Sequence, residues 1–465
     1  MSSQYQECDP FSNEAFDSLR NFIAKYRERG AEADFEEFER ELRVRVSACE
    51  AELVGEQLRR YDVDCPEILV NGEMFRRKSM NRKSYTCVAG ELSLDRHIYV
   101  PRAGGRSICP LDLRAGVVES QWTPRAARLM AQAVGNAPPK EAAELFEEIG
   151  GMRPSASSLD RLPKRLSERW ERDRKTFESE LREQEEIASE SATVAISIDG
   201  VYVPMKPEYA SDRRRPEAVK SKGPAGFREV ECGVVSLYDE GGKRLGTTRY
   251  GRSPERNKVT LKSQVEAELE SILNVRPDLR VVAVADGARE NWEYFKDLSN
   301  SLDIEFDEVV DFFHACERIK TALDAYYGDQ SPDASACFEQ FKVWLQEAND
   351  GADRVIRSLK YRRDQSTGWR RKTIETQLNY FRRYRTRMRY KELLDRNLPI
   401  GSGVVEATCK TLASERLKRS GMSWSLAGTQ AILTIRSLLQ SGRWSRAWDL
   451  LAAQYRSQIE LKHAS

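Results

Sequence analysis

The chain has 465 residues, enough for about three folded units at roughly 150 residues each. With 40% apolar and 9% aromatic residues, and only 17 prolines and 27 glycines, it can bury real cores and is not a low-complexity chain. Its 75 lysines and arginines offset 74 aspartates and glutamates to a net charge of +1, an average that by itself argues against a polyanion partner.

Apolar runs such as residues 281–285 are far shorter than the roughly 20 residues a membrane helix needs. The opening Met1-Ser2-Ser3-Gln4-Tyr5 has neither the basic start nor the apolar stretch of an export signal, so the expectation is a cytoplasmic protein with no membrane partner. Cysteines at 8, 49, 65, 87, 109, 232, 316, 337 and 409 are scattered, with no pair at zinc-knuckle spacing. They read as reduced, mostly buried thiols.

In chain order, residues 1–65 form a helical segment, with Phe35, Phe38, Leu42 and Val46 at helical spacing. Its first 56 residues hold fourteen acidic and seven basic side chains, a local charge of −7. Residues 66–120 change texture to β-favouring runs around Tyr85-Thr86-Cys87-Val88 and His97-Ile98-Tyr99-Val100, which predicts a small β-rich module. Residues 121–190 are helical again, opening on Thr123-Pro124 as cap and first-turn proline. Within them residues 139–149, a Gly150-Gly151 turn and a restart at Ser155 have helix-turn-helix spacing, although Pro163 interrupts the would-be reading helix. The same spacing is common in plain helical bundles.

From residue 191 the pattern becomes that of a mixed sheet. Residues 193–198 are a nearly continuous apolar strand ending in Asp199-Gly200, and residues 230–238 and 244–250 form a hairpin. A helix over 258–273 precedes a second buried strand, 279–285, ending in Asp286-Gly287. A helix over 289–298 leads to a strand at 306–310, which runs into Asp311-Phe312-Phe313-His314. The order β-β-β-α-β-α-β, with carboxylates closing the first and fourth strands, is that of the ribonuclease H-like fold. That fold sets the two strands side by side, so Asp199 and Asp286 converge. Hard Mg²⁺ or Mn²⁺ prefers oxygen ligands, and two such ions can clamp the attacking and leaving oxygens of a phosphodiester. Glu406, behind Gly401-Ser402-Gly403 at a helix start, is the candidate third ligand, with Lys410 one turn on to hold a phosphate oxygen. Any one of these acids alone would be an ordinary turn or cap residue; the combination points to metal-assisted phosphoryl transfer.

Between the two parts of this core, 191–320 and 399–465, residues 321–398 read as an all-helical insertion. Residues 354–391 carry fourteen basic side chains against Asp364 and Glu375, a local charge of +12. Arg362, Arg363, Trp369, Arg370, Arg371, Lys372, Arg382 and Arg383 interleave cations with flat rings, as DNA-binding surfaces do. The bland reading is a solvated helix whose aromatics face a core; the density of charge favours nucleic acid.

The series Ser197-Ile198-Asp199-Gly200, Ala285-Asp286-Gly287-Ala288, Asp311-Phe312-Phe313-His314, Gly401-Ser402-Gly403-Val404-Val405-Glu406 and Ser420-Gly421-Met422-Ser423-Trp424 resembles bacterial insertion-sequence transposases of the DDE class, nearest to the ISKra-type family. The resemblance implies a metal-binding triad of Asp199, Asp286 and Glu406, a helical insertion like that of Mutator-like transposases, and a supporting role for Asp311 and His314. It also implies cleavage of element ends and strand transfer to target DNA on a homodimer or larger assembly, for which the acidic N-terminal helices are a candidate contact. Two alternatives stay open: a structure-specific nuclease of ribonuclease H type, and a non-catalytic DNA-binding regulator derived from a transposase. Only three histidines, at 97, 314 and 463, count against a histidine-based nuclease.

Overall fold

The computed structural model describes residues 14–30, 34–207, 224 and 226–462; residues 1–13 of the acidic opening and His463 lie outside the described residues. The chain divides into two units, Met1–Phe177 with Trp444–Ser465, and Glu178–Arg443.

In the first unit the charged opening folds as α1 (Glu14–Arg29) and α2 (Phe35–Arg59). Asp34 caps α2 by accepting from the Glu37 amide at 3.0 Å. Phe22 and Tyr26 of α1 stack against Phe38 of α2, with ring centroids 5.5 and 5.1 Å apart. The β-favouring segment forms β1 (Glu67–Val70), β2 (Glu73–Cys87) and β3 (Gly90–Pro101). A short C-terminal strand, β9 (Ile459–Lys462), pairs antiparallel with β1 and completes a sheet of order β3-β2-β1-β9. Beneath it the buried Arg96 guanidinium bonds Asp112 at 2.7 Å and Tyr85 at 3.0 Å, so each buried charge has a partner. The helices are α3 (Pro110–Ala115), α4 (Pro124–Asn136), α5 (Pro139–Ile149), α6 (Ala156–Glu183) and α17 (Trp444–Ala453). α5 and α6 flank the predicted turn. Pro163 lies inside α6 without ending it; the non-helical residue is Asp173, at φ −109° and ψ 15°.

In the second unit β4 (Ser191–Pro204), β5 (Phe227–Asp239) and β6 (Arg244–Arg252) are antiparallel neighbours, and β7 (Arg280–Ala285) and β8 (Phe306–Val310) extend the sheet in parallel, in the order β6-β5-β4-β7-β8. The fold is mixed α/β. Helices α7 (Val259–Val275) and α8 (Arg289–Leu302) make the crossovers. Val281, Val282, Ala283, Val284 and Ala285 are all buried, as expected of a parallel strand covered on both faces. β4 does not end at Asp199, as its apolar run predicts: the ladder to β7 stops at Ser197 opposite Val284, while the ladder to β5 runs on to Pro204 opposite Phe227. The long partner strand β5 keeps supplying hydrogen bonds after β7 has turned away.

Residues 321–398 are helical, in α9 (Phe312–Tyr327), α10 (Pro332–Glu347), α11 (Gly351–Asp364), α12 (Gly368–Tyr384) and α13 (Tyr390–Asp395). Their inner faces join the sheet in one apolar core that includes Ile319, Phe341, Leu359, Leu378 and Phe381. Then follow α14 (Gly403–Thr408), a π-helical turn at Cys409–Ser414, α15 (Glu415–Leu417) and α16 (Leu426–Gln440). A π turn frees carbonyls from the regular ladder. Buried Arg436 of α16 answers them, donating to Leu412 O at 2.9 Å and to Thr411 O. Among the described residues no helix is long and apolar enough to cross a membrane. The eight described cysteines are free thiols, six of them buried.

Candidate active site

Because β4 and β7 are parallel and aligned at Ser197 and Val284, Asp199 and Asp286 each stand two residues beyond the last pair. The sequence places them 87 positions apart; the ladder makes them neighbours. Burial raises the Asp199 carboxyl above the ordinary range, and the Asp286 charge raises it further, against the Gly200 amide, His314 and Lys258, which lower it. Asp286 turns the chain into α8, its Oδ1 accepting from the Ala288 amide at 2.9 Å.

Asp311 ends β8 and caps α9. It is fully buried, and its carboxylate accepts from the His314 amide at 2.6 Å and from the Ser402 amide. Burial alone would raise this group, but the donors from His314 and Ser402 hold it below the usual carboxylate range. His314 Nδ1 lies 3.2 Å from Asp311 Oδ1 and 3.7 Å from Glu406 Oε1, and the bond to Asp311 pushes the imidazole up to about 9 against its own desolvation. Ser402 also donates its hydroxyl to Glu406 at 2.9 Å. One four-residue knot therefore ties the end of β8 to the start of α14. Among the described residues, Asp311, His314 and Glu406 are the set whose ligand atoms all lie within 4.8 Å of one another. Glu406 joins this group, and α14 and the π turn pack on β4 and β5, the strand of Asp199 and its neighbour. Lys410 falls in the π turn and is exposed, so its four-residue spacing from Glu406 no longer guarantees a shared face.

Three further carboxylate-site residues escaped sequence reading. Glu229 of β5 lies across Gly200, where any β-carbon would strike its side chain, and it feels the charges of Asp199 and Asp286. Glu231, two positions along β5, is 4% exposed, and its Oε2 has no hydrogen-bond partner. Burial pushes it up to about 8. Lys258 is buried at the N-cap of α7, in a left-handed conformation at φ 55°, and its ammonium acts on Asp199, Glu229 and Glu231 together. A fourth, Cys409, stands in the sequence as one of nine scattered cysteines; its thiol lies 3.7 Å from Asp199 Oδ2. The alternation of Glu229 and Glu231 on one face of a strand is the signal that was available.

The basic insertion splits by function. Tyr380 donates to Asp286 O at 2.9 Å and Tyr384 donates to Gly287 O at 2.5 Å, so these aromatics brace the loop of Asp286. Gly287 sits at φ +101° with the Tyr380 ring 2.8 Å from where a β-carbon would be, which only glycine accepts. Arg362 points inward, to the Tyr327 hydroxyl and Cys337 sulfur at 3.0 Å each, and lies over the rings of Tyr326, Tyr327 and Phe341. Arg363 is paired with Asp364 and Glu375, and Arg382 is 3.6 Å from Glu375. Trp369 is 66% exposed with Arg370 over its ring, and exposed Arg371, Lys372 and Arg383 complete an outward basic surface. Trp424 is half-buried, with Nε1 donating to Leu417 O at 2.9 Å.

No family model and no curated protein matches the chain in sequence. Among solved structures it is similar to the Drosophila P element transposase strand transfer complex, at 12% identity over 71% of this chain and 83% of that one, with a TM-score of 0.27. It is also similar to the Mos1 transposase paired-end complex with left transposon end, at 12% identity over 55% of this chain and 76% of that one, with a TM-score of 0.17. Superpositions this loose carry no weight for function, which rests on the chain's own residues.

Proposed function

We propose that this chain is a divalent-metal-dependent DNA transposase of the DDE class, with a ribonuclease H-like core, that cuts the ends of an insertion element and joins them to target DNA. The observation that carries the reading is the pair of aspartates held two residues beyond the last rung of the parallel β4–β7 ladder. Two carboxylates brought together at a buried strand end, Asp199 raised chiefly by burial and further by the Asp286 charge, are in the electrostatic state that a hard dication relieves. Asp199, Asp286 and Glu406 would hold two Mg²⁺ or Mn²⁺ ions, which would supply charge neutralisation at the reacting phosphate. Three carboxylates are the donor chemistry such ions prefer, but among the described residues Glu406 clusters with Asp311 and His314 rather than with Asp199 and Asp286, so its share in holding the ions requires it to turn toward the aspartates.

The chain's own groups do the rest. Asp311 is committed to two backbone amides and to His314, so it orients rather than ligates. His314, raised to about 9, stays protonated at neutral pH and turns Nδ1 toward Asp311 and Glu406, which leaves Nε2 to donate a proton toward a phosphate oxygen. Ser402 fixes Glu406, and Tyr380 with Tyr384 fixes the carbonyls beside Asp286. Hydrolysis at an element end and attack by the freed 3′-hydroxyl are both in-line displacements at phosphorus, so one site serves both without a covalent protein intermediate. The outward basic surface of Trp369, Arg370, Arg371, Lys372 and Arg383, with Lys410, would carry the DNA backbone, on a homodimer or larger assembly in the nucleoid.

The test is incubation of purified protein and Mg²⁺ with labelled duplexes taken from the DNA flanking its own coding sequence. The native chain should nick and then join them, while folded Asp199→Asn and Glu406→Gln do neither. Equal products from native and variant chains would remove these residues from the chemistry, and nicking without joining would leave a nuclease.

A further inference from the structure

The first unit contains a cavity of about 260 Å³ lined by Arg106, Glu119, Arg165, Glu168, Arg169 and Arg172. The last four fall at spacings of three and four along α6 and so share one face of that helix. Two of the arginines are occupied. Arg165 pairs with Glu168 at 3.0 Å. Arg169 lies 3.4 Å from Glu119 and stacks over the Tyr455 ring at 4.1 Å, while Tyr455 donates to Glu119 at 2.9 Å. That interlocked trio makes a rigid floor. Arg106, from the loop after β3, and Arg172 are exposed and have no ion pair among the described residues, so the cavity carries two uncompensated guanidinium groups over a fixed polar floor.

We infer that this cavity is a binding site for a phosphoryl group, taken by Arg106 and Arg172. Guanidinium forks match phosphate oxygens in pairs, and a concave wall of four arginines and two glutamates, with a net surplus of positive charge, focuses its field inward. The volume falls just under the roughly 300–1,000 Å³ of small-molecule sites, which suits one phosphate with its bridging atoms rather than a whole cofactor. Among the described residues none of the lining side chains is a ring on which a base could stack. The phosphate could belong to a nucleic-acid backbone or to a free polyphosphate. The inference does not depend on the carboxylate site or on the reaction proposed for it.

The test compares the native chain with the double variant Arg106→Gln, Arg172→Gln, and with a control, Lys25→Gln, Arg27→Gln, which removes two exposed charges from α1. A random-sequence DNA duplex is titrated by fluorescence anisotropy over a salt series, and thermal unfolding is followed with and without inorganic pyrophosphate. If the phosphate is a backbone one, the salt slope drops by about 1 to 2 in the double variant, at roughly 0.9 per phosphate contact, and is unchanged in the control. If it is free, pyrophosphate raises the melting temperature of the native chain and the control but not that of the double variant, with equal DNA slopes. Equal slopes and equal pyrophosphate shifts in all three proteins overturn the site, as does a control that loses as much slope as the double variant.

Discussion

Two groups of buried charges in the second unit are built in opposite ways. Around Glu268 each carboxylate oxygen has a donor: Thr248 at 2.9 Å and Arg443 at 2.5 Å on one, Tyr250 at 2.6 Å on the other, with Arg443 also held by Glu185. Burial would raise Glu268, but Arg443 and these hydrogen bonds lower it below the usual range. Around Asp199, Glu229 and Glu231 the carboxylates outnumber their donors, Lys258 is the buried cation they share, and all three groups are raised. A buried acid that serves the fold is satisfied, whereas an acid left short of partners is kept for something that arrives later.

The sharpest way to break this contrast is to strand Glu268. Replacing Arg443 by Met should cost about 3 to 5 kcal/mol of stability, read by urea unfolding, because it leaves an uncompensated buried carboxylate. A loss under 1 kcal/mol would mean that the pair is not what holds that corner. The second test uses pH. The folded chain holds the Glu231 proton more tightly than the unfolded one, so this group's contribution is fully present below about pH 4.5 and is lost as pH rises through about 8. Without added metal, Glu231→Gln should therefore raise stability by about 4 kcal/mol at pH 8 and by about 1 kcal/mol or less at pH 5. Glu268 has the opposite sign: its contribution is present above its ordinary range and is lost as pH falls through its lowered value, so Glu268→Gln should act chiefly near neutral pH and above.

The same division runs through the basic insertion. Arg362→Gln should lower stability by about 1 to 3 kcal/mol and leave the salt dependence of DNA binding unchanged, because its guanidinium is packed inside. The triple change Arg370→Gln, Arg371→Gln, Lys372→Gln should reverse that pattern, reducing the salt slope by about 2 to 3 with little change in melting. Matching salt slopes in the two proteins would contradict the split. The smallest effect is expected from Tyr380→Phe, which removes one hydrogen bond to Asp286 O, worth about 1 kcal/mol, and should slow cleavage by a few-fold.

What could be read in the sequence was what local pattern determines. Continuous apolar runs mark β4, β7 and β8, and their order in the chain implies that Asp199 and Asp286 stand on adjacent strands, as the β4–β7 ladder has them. Asp311 followed by His314 was legible as a strand-to-helix junction. The rest depends on contacts between distant positions. Arg387 meets Glu308 at 2.6 Å and Arg396 meets Asp307, so part of the surplus charge around the insertion is neutralised by acids about 80 to 90 residues away, which a local count of charge misses. Phe381, Tyr384 and Tyr390 sit next to arginines in sequence but face the core, because helical periodicity sorts neighbours onto opposite sides. The pairing of β9 with β1 brings together residues nearly 400 positions apart, and four residues of IELK carry no pattern that would select that edge.

The tyrosine brace on Asp286 and Gly287 bears on how such a chain can be remodelled. A helical segment tethered only at its two ends could be trimmed away or grafted onto a different scaffold as a cassette. Here α12 holds two carbonyls of the turn that presents Asp286, so excising it would deform that turn. The tip between α11 and α12 takes no part in this brace, so a change of length or charge there leaves it intact, whereas α12 and the turn after β7 stand or fall together.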